Sequence, residues 1–99
     1  MKYILITSIK TRLSEEEVVK IAKTRKGYFQ DVNGLIKKFW TYNEKTRVFY
    51  GIFEFESKKT LNNYLKTDFA QSVERTYKTI EPVKLQILRV QEEQDYPKR

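Results

Sequence analysis

Residues 35–56 read LIKKFWTYNEKTRVFYGIFEFE, two runs of apolar and aromatic residues on either side of a polar segment. Aromatic and β-branched side chains are enriched in β-strands, whereas Asn43-Glu44-Lys45-Thr46 has the composition of a turn. The stretch therefore predicts a β-hairpin with strands over 35–42 and 47–56. The rest of the fold follows from what lies before and after it.

A strand and a helix are predicted before the hairpin. Residues 3–9 read YILITSI, a short apolar run typical of a strand. Ser14 and Glu17 then have the spacing of a capping box, in which each side chain bonds the backbone N–H of the other. We expect the helix that begins there to end before Asn33-Gly34, because these residues tolerate positive φ.

A second helix and a last strand are predicted after the hairpin. Ser57 is a helix cap, and Asp68-Phe69-Ala70-Gln71 resembles a second cap that restarts the helix after a break. Pro82 ends the helix, and residues 83–90 read VKLQILRV, which is typical of a strand.

The predicted element order is βαββαβ, the order of ferredoxin-like α+β domains with a four-stranded antiparallel sheet. Ninety-nine residues suit one such domain, which we place over 1–91, followed by a polar tail over 92–99. Both helices should cover the same face of the sheet.

The composition excludes several classes of chemistry. The chain has no Cys and no His, which removes disulfides, nearly all zinc site types and imidazole general bases. We expect no metal and no cofactor, no membrane span, and a cytoplasmic protein. The net charge of +7 favours anionic partners, although surface lysines that serve solubility are the simpler explanation.

Both faces of the predicted sheet are apolar. In the third strand, Phe53 and Phe55 share a face with Gly51, and Phe55 leads directly into the helix capped by Ser57, so this face should lie beneath the helices. Strict alternation then assigns the following residues to the opposite, open face: Ile36, Lys38, Trp40, Tyr42, Tyr50, Ile52 and Glu54.

An open apolar face of this size is rarely left in water, and the simplest cover is the same face of a second subunit. We therefore expect a homodimer whose two sheets enclose a shared interior. The first strand contributes either Ile4, Ile6 and Ser8 or the alternate set. Lys38 and Glu54 would point into that interior, where they either pair across the hairpin or act on a ligand.

The hairpin and its flanks also carry a family resemblance. The segments Asn33-Gly34-Leu35-Ile36-Lys37-Lys38-Phe39-Trp40 and Tyr50-Gly51-Ile52-Phe53-Glu54-Phe55 resemble the YdhR-like monooxygenases of the dimeric α+β barrel superfamily. Length and element order match along the whole chain. Tyr50 stands where the family has Gly, which would place a ring in the presumed cavity.

The resemblance implies a homodimer that holds a small hydrophobic or aromatic ligand in each half. The implied activity is cofactor-independent monooxygenation of an aromatic or quinol-like substrate. Lys38 and Glu54 would be the catalytic cation and base, and substrate would contact Trp40, Tyr50, Ile36 and Ile52. Each residue also has a purely structural interpretation, since Trp40 and Tyr50 could simply pack in the dimer core.

Two alternatives stay open. A dimer that binds a small ligand without catalysis needs the same pocket. An RNA-recognition-type domain shares the βαββαβ order and exposes aromatic residues on its sheet, but its third-strand motif is poorly matched here, so nucleic acid is the weaker prediction.

Overall fold

The computed structural model describes residues 1–98, so Arg99 of the predicted tail lies outside the described residues. The elements follow in the order β1 (Tyr3–Ile9), α1 (Glu15–Arg25), a 3-10 helix (Lys26–Asp31), β2 (Leu35–Asn43), β3 (Val48–Phe55), α2 (Lys58–Leu65), α3 (Asp68–Gln71), α4 (Val73–Thr76) and β4 (Lys84–Arg89). The strands form one sheet in the order β2-β3-β1-β4, and every neighbouring pair is antiparallel. The predicted ferredoxin-like α+β fold is confirmed.

The helix starts are set by side-chain caps. Ser14 and Glu17 form the predicted capping box, and Ser57 accepts a hydrogen bond from the backbone N–H of Thr60. The restart of the second helical region is capped by Thr67, whose hydroxyl accepts from the N–H of Ala70; Asp68, within the predicted cap, is the first helical residue. The predicted break is thus real. Within residues 1–98, no helix has the length and apolar character needed to cross a membrane.

A β-bulge at the start of β2 decides which side chains face the helices. Leu35 lies opposite Phe55 and Lys37 lies opposite Glu54, so Ile36 is an extra residue without a partner. Because side chains alternate along a strand, one extra residue moves every later side chain of β2 to the other face.

The predicted face of β2 is therefore wrong from the bulge onward. Lys38 lies opposite Phe53 and Trp40 lies opposite Gly51, on the face that the helices cover. Tyr50, Ile52 and Glu54 remain on the open face, as predicted. Lys38 and Glu54 consequently point to opposite sides of the sheet and cannot pair across the hairpin.

The open face takes its first-strand residues from the set Ile4, Ile6 and Ser8. Ile4 lies opposite Glu54, and Ile6 lies opposite Ile52. Phe39 of β2 lies opposite Ile52 and is 54% exposed, while Leu88 of β4 is 44% exposed. This face is as apolar as the sequence predicts, with Phe39 where Trp40 was expected.

The helix-covered face carries two separate groups of buried side chains. One group surrounds Leu5, Phe53 and Phe55, and the other surrounds Ile9 and Phe49. Between them, Thr7 of β1 lies opposite Gly51 of β3, so the centre of the sheet carries small side chains. These small side chains separate the two groups of buried residues.

Candidate functional site

A cavity of about 300 Å³ lies between the sheet and the helices. Thr7 and Trp40 of the central sheet row line it, together with Phe53 from the next row. Gly51 contributes by having no side chain: a Cβ there would lie 2.7 Å from the Thr7 Oγ1 atom and 2.9 Å from the Phe53 Cε1 atom. Any larger residue at 51 would push these two side chains out of place.

Aromatic and aliphatic side chains form most of the wall, and few polar groups reach the cavity. The aromatic lining residues are Phe29, Trp40, Phe53, Tyr64 and Tyr77. The polar side chains among the lining residues are Thr7, Arg25, Lys38, Gln71 and Glu74. The Glu74 carboxylate already accepts a hydrogen bond of 2.7 Å from the backbone N–H of Val83. An apolar cavity with few convergent polar groups is typical of a small-molecule site.

Lys38 is the most unusual of the polar groups. Its Nζ atom lies 4.5 Å from the centre of the Phe29 ring, 5.3 Å from that of Trp40 and 5.4 Å from that of Phe53. Within residues 1–98, no carboxylate lies in ion-pair distance of this ammonium. Burial, and secondarily the nearby Arg25 guanidinium, lower the Lys38 pKa. The site thus holds a partly buried amine whose charge only ring faces offset.

Arg25, in contrast, is committed to the structure. Its guanidinium donates hydrogen bonds to the carbonyl oxygen of Phe69 at 3.1 Å and to the hydroxyls of Thr76 at 3.2 Å and Ser72 at 3.4 Å. It also lies 3.8 Å from the centre of the Phe69 ring, which stacks on Tyr28 at a centroid distance of 3.7 Å. Arg25 therefore ties the end of α1 to α3 and α4, which cover the cavity.

Trp40 has a buried donor that the described residues leave unused. Its indole Nε1 has no hydrogen-bond acceptor within residues 1–98. The ring itself is well held, since it stacks on Phe49 at 5.9 Å and on Tyr77 at 5.3 Å. Burial raises the pKa of Tyr77 and raises that of Tyr64 further, so both phenols keep their protons at neutral pH.

The structure brings only part of the predicted site together. Lys38 and Trp40 line the cavity, and Ile36 lines a groove beside it. Tyr50, Ile52 and Glu54 lie on the open face, as predicted, and do not line this cavity; a Tyr50 ring in an interior shared with a second subunit stays a prediction. Any role that these three have concerns the space between two sheets.

Sequence reasoning did not identify Arg25, Tyr64, Tyr77 or Thr7 as site residues. Nothing in the local sequence distinguishes a core ring from a cavity wall at Tyr64 or Tyr77. Arg25 gave no signal, because its partners are 44 to 51 residues away in sequence.

A four-stranded antiparallel sheet whose helices cover one face and enclose a cavity makes this chain a ferredoxin-like α+β domain, a fold that it shares with solved oxygenase structures. The chain belongs to the family described as "Putative mono-oxygenase ydhR", whose model matches residues 5–96. The predicted resemblance is confirmed. No curated protein matches the chain.

Solved structures with similar folds share little sequence with this chain. Rv0793 from Mycobacterium tuberculosis superposes with a TM-score of 0.76 at 9% identity, covering 96% of this chain and 100% of its own. SnoaB, a cofactor-independent oxygenase from Streptomyces nogalater, gives 0.73 at 8% identity, covering 98% of each chain. A structure described as a putative antibiotic biosynthesis monooxygenase from Deinococcus radiodurans superposes with a TM-score of 0.74 at 8% identity, covering 99% of this chain and 100% of its own. At these identities the likeness establishes the fold.

Proposed function

We propose that the protein is a cofactor-independent monooxygenase that oxidises a phenol- or quinol-like aromatic molecule in the cavity. The observation that carries the proposal is Lys38, an amine of lowered pKa held against aromatic rings with no carboxylate of residues 1–98 in ion-pair distance. Membership of the mono-oxygenase family and the fold shared with a cofactor-independent oxygenase support it.

The first step is removal of the substrate hydroxyl proton by Lys38. A lowered pKa increases the fraction of the free amine near neutral pH, and that amine accepts the proton. The product is an ammonium beside a phenolate, so the same residue then stabilises the oxyanion that it has generated. The Phe29 ring, whose centre lies 4.5 Å from the Lys38 Nζ atom, is close enough to contact a substrate ring there.

The second step is oxidation of the phenolate by dioxygen. The substrate supplies the four electrons that reduce dioxygen. One oxygen atom becomes bonded to a ring carbon, and the other leaves as water with two hydrogens from the substrate. Hydroquinone, for example, would give hydroxybenzoquinone and one water. The chain's part is to bind and orient the ring, to hold the proton and to exclude water.

Oxygen consumption tests this proposal. We expect uptake with one or more members of a panel of hydroquinones and phenols, and incorporation of one labelled atom from ¹⁸O₂ into the product. Lys38→Met should lower kcat/KM by about 100-fold or more, the usual contribution of a general base.

The matched control for this variant is Lys45→Met. Lys45 is exposed in the turn between β2 and β3 and does not line the cavity, so this variant should retain activity. Equal loss in both variants, or no uptake above the enzyme-free rate across the panel, would contradict the proposal. Binding of phenols without uptake would favour the non-catalytic alternative.

We further propose that the working form is a homodimer joined through the open face. Several large apolar side chains lie there, and Phe39 and Leu88 are about half exposed in the single chain. A face of this kind on a monomer usually marks an interface. A second sheet would cover it and close the space that holds Tyr50, Ile52 and Glu54.

A further inference from the structure

A second depression adjoins the cavity. It is a groove of about 580 Å³ between α1, the 3-10 helix and the edge strand β2. Phe29, Lys38 and Trp40 line both the groove and the cavity, so the two spaces lie on either side of these residues. A molecule that extends past Lys38 would therefore occupy both.

The groove combines an apolar base with an uncompensated positive rim. Its apolar lining residues include Val19, Ala22, Leu35 and Ile36, and the bulge leaves Ile36 48% exposed. Lys23 and Lys26 lie at its helical side, and both are exposed. The groove has no acidic lining residue within the part of the chain that the structure describes. Lys37 also lines the groove, but its ammonium lies on the other face of the sheet.

We propose that the substrate is an amphiphilic acid whose phenolic ring occupies the cavity and whose apolar chain lies in the groove, with its anionic end group held by Lys23 and Lys26. The placement of the ring rests on the proposed function. The cavity volume of about 300 Å³ is at the small end of the usual range for ligand sites. It would suffice because only the ring has to enter the cavity, while the chain lies in the groove.

A binding titration tests this inference without requiring turnover. Trp40 is the only tryptophan of the chain and lines both spaces, so its fluorescence reports on binding to either. The probes are 5-(4-hydroxyphenyl)pentanoate and its neutral amide, which differ only at the end group. Wild-type protein should bind the acid about tenfold more tightly than the amide at low salt, and less selectively as salt is added.

The Lys23→Gln/Lys26→Gln double variant should lose most of this preference while its affinity for the amide stays unchanged. The control is Lys58→Gln/Lys59→Gln, which removes the same charge from the exposed first turn of α2. Equal wild-type affinities for acid and amide, or equal effects of the two double variants, would overturn the inference.

Oxygen uptake with the corresponding hydroquinone acid separates the two proposals. Acid-selective binding without uptake would support the groove inference and contradict the monooxygenase function. Oxygen uptake with the neutral hydroquinone amide at the same kcat/KM as with the acid would support the monooxygenase function and contradict the groove inference.

Discussion

Lys38 should make the stability of the protein depend on pH. Its pKa is below the ordinary 10.5 in the folded chain because of burial and Arg25, and returns to that value on unfolding. Between these two pKa values the unfolded chain binds more protons, so the free energy of unfolding rises with pH. Below the folded pKa the full cost of the buried charge is present. Lys38→Met removes this cost, so the variant should be more stable than wild type at neutral pH, by a margin that narrows toward pH 10.5.

Urea denaturation at a series of pH values measures this effect, with Lys37→Met as the control on the opposite face. The series should stop below pH 10, where tyrosines of the unfolded chain begin to ionise while Tyr64 and Tyr77, with raised pKa values, stay protonated. A constant difference between Lys38→Met and wild type across the series would show that the Lys38 charge carries no such cost.

At the scale of elements, one side chain of α1 connects this helix to the short helices that cover the cavity. Arg25 donates three hydrogen bonds, one to Phe69 in α3, one to Thr76 in α4 and one to Ser72 between the two helices. Its guanidinium also lies over the ring of Phe69. Arg25→Lys keeps the charge but cannot reproduce this planar set of donors. We expect it to lower the free energy of unfolding by roughly 1–3 kcal/mol and to speed amide hydrogen exchange across residues 68–77.

The control for this variant is Lys20→Met, an exposed position of the same helix that should leave both measurements unchanged. If Arg25→Lys retains wild-type stability and exchange rates, the contacts of Arg25 do not hold α3 and α4 in place.

The element order could be read from the sequence because each element carries its own local signal. The capping box of Ser14 and Glu17, the hairpin turn and Pro82 need only their neighbours to be understood. The face of β2 could not be read in this way. Ile36 looks like an ordinary strand residue, and only its pairing with β3 shows it to be a bulge.

The same distinction explains how much of the candidate site was predicted. Lys38 and Trp40 were selected because alternation placed a charge and a large ring on the open face; they do line a cavity, but on the face that the helices cover. Arg25, Tyr64 and Tyr77 come from distant parts of the sequence that meet only in the folded chain. Their position at the cavity follows from packing over the short residues Thr7 and Gly51, which no local pattern encodes.

At the scale of the whole molecule, the two faces of the sheet differ. The helices cover one face and enclose the cavity, whereas the open face exposes apolar residues and is where we propose that a second copy binds. The bulge at Ile36 makes this division possible, because it directs Lys38 and Trp40 inward while Phe39 points outward. Changes on the open face should therefore affect assembly before they affect the cavity.

Sedimentation of a Phe39→Glu variant tests this division. Wild-type protein should sediment as a dimer, and Phe39→Glu as a monomer, because assembly would bury a carboxylate in an apolar interface. The control is Ile80→Glu, a comparably exposed apolar position outside the sheet, which should leave the dimer intact. A wild-type monomer that binds single-stranded RNA with a steep salt dependence would overturn the homodimer and favour the nucleic-acid alternative, since counterion release makes such binding strongly sensitive to salt. A Phe39→Glu variant that remains a dimer would show that the two copies meet through another surface, and it would contradict the proposed interface on the open face.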